Sequence, residues 1–369
     1  MTTSPLAEDP TTVSPRNNPN LLGQTSAEAT LLRAHKSGRL PHAWLFAGQK
    51  GIGKATLAFR FARYLLANDG LSSNAELFGD LGDDAETLHV DANHPVFRRI
   101  AAESHGDLRV LERKEDKKGR LRSSIVVDDV RGATDFLHRT SGDGGWRIVI
   151  VDAAEDLNNQ ATNALLKALE EPSDQTLLIL ISHAPGRLLP TVHSRCCHLT
   201  LGQLSEGDLS ALIARFIPEA AVDEAQALAR LSGGSIGKAL ALRQAGGLGL
   251  LQDLAVVLES MPRLDILKAQ TFVDHVVGPK DAAAFETLRE LLAWWFARML
   301  RSGATQTFPP PVLANERELM VRMYNSGDLE AWMAFWDKWS KLLSRADNTA
   351  ANRRQMMLGL FADLSRLVA

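Results

Sequence analysis

Ala43-Trp44-Leu45-Phe46-Ala47-Gly48-Gln49-Lys50-Gly51-Ile52-Gly53-Lys54-Ala55-Thr56 is the stretch whose reading decides the fold. Five apolar residues make a buried strand, a glycine loop ends in Gly-Lys, and a helical pattern runs on to Leu66. Gly48, Gly51 and Gly53 open backbone angles closed to other residues, so successive N–H groups can turn toward one anion while Lys54 adds a point charge. The helix that starts there contributes its positive end. Strand, loop, lysine and helix in this order read as a phosphate cradle, and the plainer alternative is a glycine turn between a strand and a helix. The cradle lacks one part. A magnesium bridging the last two phosphates is held by Ser or Thr directly after the lysine, and here that residue is Ala55. Thr56 stands about 100° further round the helix. The candidate nucleotide-binding residues are Gly48, Gly51, Ile52, Gly53, Lys54, Ala55 and Thr56; ATP or ADP binding stays open, with magnesium weak or absent.

Trp146-Arg147-Ile148-Val149-Ile150-Val151 and Thr176-Leu177-Leu178-Ile179-Leu180-Ile181 are nearly unbroken apolar runs, read as strands buried on both faces. Asp152 stands where the first run ends, the place from which a carboxylate can hold a magnesium at a phosphate loop, and it joins the candidate site. ATPases of this type usually place Glu next, to orient the attacking water. Here the next residue is Ala153, and Glu155 lies too far along to assume the same direction. Asn158 caps a helix over 159–170, which Pro172 ends. Residues 21–36 read as a short helix, 54–66 as a helix with Leu57, Phe61, Tyr64 and Leu65 on one side, and 68–93 as an acidic surface loop. Residues 94–110 read as strand-like patches and 124–140 as a helical region closed by a glycine turn at 142–145. Strands alternating with helices give an α/β fold whose parallel sheet is covered on both faces and binds ligands where its strands end.

From Ser205 the strand signals stop. A capping box at 205–208 opens a helix, and two more follow over 222–231 and 235–243. A glycine-rich joint at 246–249 precedes about 120 residues of helical periodicity. The domains expected are a disordered tail (1–18), an α/β nucleotide-binding domain (19–203), a helical lid (204–245) and a helical C-terminal domain (246–369). In the last, Trp332, Trp336 and Trp339 form one helical stripe while Trp294 and Trp295 are neighbours; core packing is the reading preferred to a ligand site.

At 369 residues the chain exceeds one ordinary core, and 45 % hydrophobic with 23 % charged residues is a globular composition. A net charge of −3 argues against a uniformly basic nucleic-acid binder. The basic run 113–122 is diluted by Glu115 and Asp116 and reads as a solvated hairpin before a nucleic-acid contact. The only cysteines, Cys196 and Cys197, are adjacent, which excludes an ordinary disulfide framework or a four-cysteine zinc module within this chain and fits a cytoplasmic setting. On a strand, Cys196 and His198 face one way and Cys197 the other, so the group with His193 is read without a metal. The tail lacks the apolar core of a secretion signal, and no apolar run approaches the roughly 20 residues of a membrane helix.

The run Leu188-Leu189-Pro190-Thr191-Val192-His193-Ser194-Arg195-Cys196 resembles the Ser-Arg-Cys motif of the delta-prime family of bacterial DNA polymerase III clamp-loader subunits, which are AAA+ proteins. The resemblance covers most of residues 19–245. It implies an AAA+ P-loop module with a small helical lid, followed by an all-α collar domain. It further implies a place beside motor and delta subunits in a pentameric ring that opens a sliding clamp and sets it on primed DNA with ATP. Arg195 is thereby implied as an arginine finger, catalytic in trans in a neighbour's ATP site. Departures from the family's motor subunits fall at Ala55, at Ala153 and at Gly237, where Lys238 stands beside the position of an arginine sensor. They imply a subunit without independent ATPase activity. The zinc cysteines of many clamp-loader subunits are missing between residues 67 and 95, so zinc is not expected. One rival is a hydrolysing motor subunit of the same assembly, which needs chemistry missing at 55, 153 and 237. The other, a P-loop small-molecule phosphotransferase, leaves the Ser194-Arg195-Cys196 motif and the helical domain without a purpose.

Overall fold

A parallel strand covered on both faces sends alternate side chains into two different cores. In the computed structural model β1 (Ala43–Ala47) does so: Trp44 and Phe46 enter one core, Ala43 and Leu45 the other. β3 (Arg147–Asp152) and β4 (Thr176–Ser182) repeat the division, Ile148, Ile150, Leu177, Ile179 and Ile181 on the first side and Val149, Val151, Leu178 and Leu180 on the second. With β2 (Leu108–Leu111) and β5 (Cys197–Thr200) they form a five-stranded sheet in the order β2-β3-β4-β1-β5, every pairing parallel. The first core is closed by α1 (Thr25–Lys36), α2 (Lys54–Asp69) and α3 (Pro95–Ala101), the second by α4 (Val127–Leu137) and α5 (Asn159–Glu170). This is the α/β fold expected, and Asn158 caps α5 through an N–H···Oδ1 bond of 2.8 Å from Ala161.

The structure describes residues 14–69, 86–116, 119–139, 145–277, 282–345 and 350–369. Residues 1–13 of the expected tail, most of the acidic loop, 117–118 of the basic run and 140–144, with most of the glycine turn, lie outside them. The chain divides into two units, Met1–Pro218 with Gly234–Ile236 and Glu219–Gly233 with Gly237–Ala369.

Two readings of the first unit are corrected. The expected strand patches over 94–110 are α3 followed by β2. His94 Nδ1 accepts the Val96 N–H at 3.2 Å, Pro95 sits at the first helical position, and Val96, Phe97 and Ile100 reach the core. The tail boundary also moves, because residues from Arg16 onward lie along α2. Arg63, 1 % exposed, donates to the carbonyls of Arg16 (2.9 Å) and Asn18 (2.8 Å), and Arg60 donates to Pro19 O (2.7 Å) and Glu28 Oε1 (2.8 Å). Burial, with Arg60 adding to it, lowers the Arg63 guanidinium to about 10. α2 is therefore buried nearly all round, not on one side only.

α6 (Pro190–His193) and α7 (Glu206–Phe216) complete the first unit's helices. Ser205 caps α7, its Oγ accepting the Asp208 N–H at 3.1 Å. The second unit holds α8 (Val222–Ser232), nearly all of α9 (Ile236–Gln244), α10 (Gly247–Glu259), α11 (Ile266–Val276), α12 (Ala282–Thr305), α13 (Glu316–Tyr324), α14 (Leu329–Ser344) and α15 (Ala350–Val368). Its core gathers round Phe296, whose ring lies 5.3 Å from Trp295, 5.5 Å from Phe335 and 5.0 Å from Trp336. Trp332, Trp336 and Trp339 are thus packing residues, Trp332 and Trp339 buried and Trp336 half-buried. No helix is long and apolar enough to cross a membrane among the described residues.

Candidate functional site

The carboxyl ends of β1, β3 and β4 meet: Ala47 is level with Ser182, and Asp152 with Ile181. From Ala47 the chain enters the loop, where Gly48, Gly51 and Gly53 have φ of 147°, 79° and 100°. A Cβ at Gly48 would stand 2.7 Å from Leu201 O and 2.8 Å from Ile52 Cδ1, so glycine is required there by space as well as by angle.

The loop's carbonyls are held from outside by side-chain donors. Lys54 Nζ donates to Gly48 O (2.7 Å) and Gln49 O (2.6 Å), Ser235 Oγ to Lys50 O (2.8 Å), and Gln24 Nε2 to both Ile52 O (3.1 Å) and Gly202 O (2.9 Å). The N–H groups of Gln49 to Gly53 make no hydrogen bond to a described residue. Carbonyls bound outward and amides left over are the pattern of a phosphate cradle, and in that respect the residues fit a nucleotide phosphate. They do not fit its magnesium. Ala55 packs against the core under the sheet and Thr56 is buried, so the first turn of α2 presents no hydroxyl where the hydroxyl of a full phosphate loop stands.

Lys54 is 3 % exposed, and burial lowers its ammonium to about 8 against the pull of Asp152 and Glu155. Burial, followed by the repulsion of Glu112, pushes Asp152 up to about 6, with Lys54 opposing. Glu155, in a short 3-10 turn after β3, does come to this end of the sheet. Its Oε1 accepts the His183 N–H at 2.8 Å. Burial raises its carboxyl, but hydrogen bonds from its own backbone, from His183 N–H and from the Ser182 hydroxyl outweigh that and hold it low. A carboxylate so engaged with β4 is a tie between strands. Burial, followed by the charge of Lys54, holds the His183 imidazole below its ordinary value against the pull of Glu155. Sequence reading missed Gln24, Ser182, His183 and Ser235 as parts of this end of the sheet; the polar pair Ser182-His183 directly after a buried strand was the available signal.

Arg195 lies elsewhere, on the turn between α6 and β5. Its Nη2 is 2.7 Å from Glu170 Oε1, at the end of α5, and its Nη1 donates to Thr191 O (3.0 Å) and Ser194 Oγ (3.2 Å). The side chain is 34 % exposed. Beside it Cys196 is packed against the second core, and burial, then Cys197, pushes its thiol to about 12. His193 and His198 use their Nε2 atoms on the carbonyls of Pro185 and His193. No group of three or more His, Cys, Asp or Glu is arranged to hold a metal among the described residues. Lys238 Nζ stands 3.9 Å from Glu290 in the second unit.

A family model described as DNA polymerase III, delta subunit, matches residues 23–205. The DNA polymerase III subunit delta′ of Pseudomonas aeruginosa is 30 % identical over 86 % of this chain and 89 % of its own length. That of Escherichia coli K12 is 31 % identical over 68 % of this chain and 69 % of its own. The subunit gamma/tau of Mycobacterium tuberculosis H37Rv is 30 % identical over 56 % of this chain and 32 % of its own. The chain belongs to the delta-prime family of DNA polymerase III subunits.

Proposed function

We propose that this chain is the stator of a clamp loader: it sits among motor and delta subunits in a ring that loads the sliding clamp onto primed DNA, and it serves a neighbour's ATP site through Arg195. The observation that carries this reading is the guanidinium of Arg195, a third exposed and fastened to its own chain by one surface carboxylate and two neutral acceptors. A surface ion pair of that kind is worth about 0–1 kcal/mol, so the guanidinium can exchange Glu170 for a γ-phosphate oxygen at little cost. Set against the phosphoryl oxygens in the transition state, its fixed charge and paired donors stabilise the negative charge they carry.

On this reading the chain's own loop takes at most a nucleotide phosphate through the amides of Gln49 to Gly53, with no hydroxyl at position 55 for magnesium and no acid at position 153 for water. The helical second unit would be the collar, and its contacts with other subunits would use different faces on either side, as a head-to-tail ring requires. DNA would be met through the complex.

The test is ATP hydrolysis stimulated by clamp and primed DNA in a complex reconstituted with motor subunits, with assembly checked by gel filtration. Arg195→Ala is expected to lower turnover by about 10³-fold with the complex intact. Unchanged turnover in an intact complex would make Arg195 a surface residue and end the reading.

A further inference from the structure

The second unit carries a cavity of about 560 Å³ that the stator reading does not use. One wall is the C-terminal half of α12, where Trp294, Arg298, Arg301 and Thr305 follow at i, i+4, i+7 and i+11 on one face. The chain turns back at Gln306 (φ 54°), and residues 307–311 run as the opposite wall, with Thr307 and Pro309 lining it. The walls are tied together. Arg298 donates to the carbonyls of Pro309 and Pro310, and its Nε lies 2.6 Å from the Oε1 of Glu316. Glu316, 3 % exposed, accepts with its other oxygen from the N–H groups of Val312 and Leu313. The last carbonyls of α12 are taken as well, Arg301 O by Thr305 Oγ1 (2.8 Å) and Gly303 O by Gln306 Nε2 (2.7 Å).

Two polar groups in this pinned frame are left over. Ser302 is 1 % exposed, lines the cavity, and its hydroxyl makes no hydrogen bond to a described residue. Arg301 next to it has no ion-pair or hydrogen-bond partner for its guanidinium among the described residues. Beside them the half-buried ring of Trp294, backed at 5.0 Å by the Arg298 guanidinium, joins Ala297 and Pro309 as an apolar surface. The charge of Arg298 is balanced by Glu316, so the described residues lining the cavity offer one uncompensated cation, one unused hydroxyl and one aromatic surface within a volume suited to a side chain or two.

We propose that this cavity docks a short acidic segment of a partner protein, one carboxylate bound by Arg301 and Ser302 and the adjacent apolar side chain seated between Trp294 and Pro309. A guanidinium and a hydroxyl match the acceptors of one carboxylate. A nucleic acid strand is the poorer match, since tracking a phosphate backbone takes several cations and base stacking needs an open ring face, whereas among the described residues that line this cavity only Arg301 is without a counter-charge and Arg298 covers one face of Trp294.

The experiment is fluorescence anisotropy of the full chain with fluorescein-labelled hexapeptides that pair one or two Asp or Glu with Leu, Ile, Phe or Trp. Each is made with a free and an amidated C-terminus, to separate a terminal from a side-chain carboxylate, and matched by Asn/Gln versions and by a twelve-nucleotide oligothymidine. The expected result is saturable binding that needs the acid, weakens about tenfold or more in Arg301→Ala, returns in part in Arg301→Lys, and is unmoved by Arg366→Glu, an equal or larger charge change on an exposed helix end. Absence of acid-dependent binding across the set, or binding indifferent to Arg301→Ala, overturns the proposal. Tighter Arg301-dependent binding of the oligothymidine overturns it in favour of a nucleic acid.

Discussion

Lys54 and Arg195 are both cations that sequence motifs single out, and the fold treats them in opposite ways. Lys54 is buried, lowered to about 8, and spends its donors on the carbonyls of its own loop. Arg195 is a third exposed, and its partners Glu170, Thr191 O and Ser194 Oγ all belong to exposed residues. On the proposed function, the difference teaches how to tell a retained motif from a working one. On that reading a cation that carries charge to a reaction is held at the surface, loosely enough to change partners, whereas one buried against the carbonyls of its own loop is part of the architecture.

The largest effect expected of this contrast is the loss of about 10³-fold in turnover of the complex in Arg195→Ala. Lys54→Met is the converse and should leave that turnover within about twofold while changing stability. The unfolded chain keeps the Lys54 proton up to about 10.5 and the folded chain releases it from about 8, so between those values the unfolded state binds more protons. Wild-type stability in denaturant should therefore rise with pH across this window relative to the variant. A steep loss of turnover in Lys54→Met would break the contrast, because the loop would then be doing chemistry. Gly48→Ala tests whether the loop is architecture: with φ of 147° and a backbone oxygen 2.7 Å from the new Cβ, it should cost about 2 kcal/mol or more in denaturant unfolding. Gly186→Ala, with open space around it, should stay within about 0.5 kcal/mol. The smallest effect belongs to Glu170→Ala, which frees Arg195; stability should move by less than about 0.5 kcal/mol and turnover by less than about twofold. A large change there would mean that Glu170 positions the guanidinium.

The sheet was legible where burial on two faces leaves an apolar run, as in β1, β3 and β4, and α5 was legible to its ends because Asn158 and Pro172 mark them. The helix α3 was not. Val96, Phe97 and Ile100 read as strand patches, and the cue that outweighed them, His94 as cap with Pro95 behind it, is a rare form of a common device. At the site, the residues contributed by the loop and by β3 were visible, since they follow one another in the chain. Gln24 and Ser235 were not, because they reach it from separate segments and no local pattern announces a side chain that fastens someone else's carbonyl. Arg60 and Arg63 were hidden for a related reason: on a helix they look like the solvent side, and only the segment from Ser14 to Asn20 turns that side into an interior.

Those two arginines also decide where mechanical load enters the first unit. A pull on Ser14 is carried by the carbonyls of Arg16, Asn18 and Pro19 straight into the flank of α2, the helix that begins at Lys54. Tension from the amino-terminal side would thus be shared between that helix and, through the Arg16 guanidinium 2.7 Å from Glu112 Oε1, the end of β2.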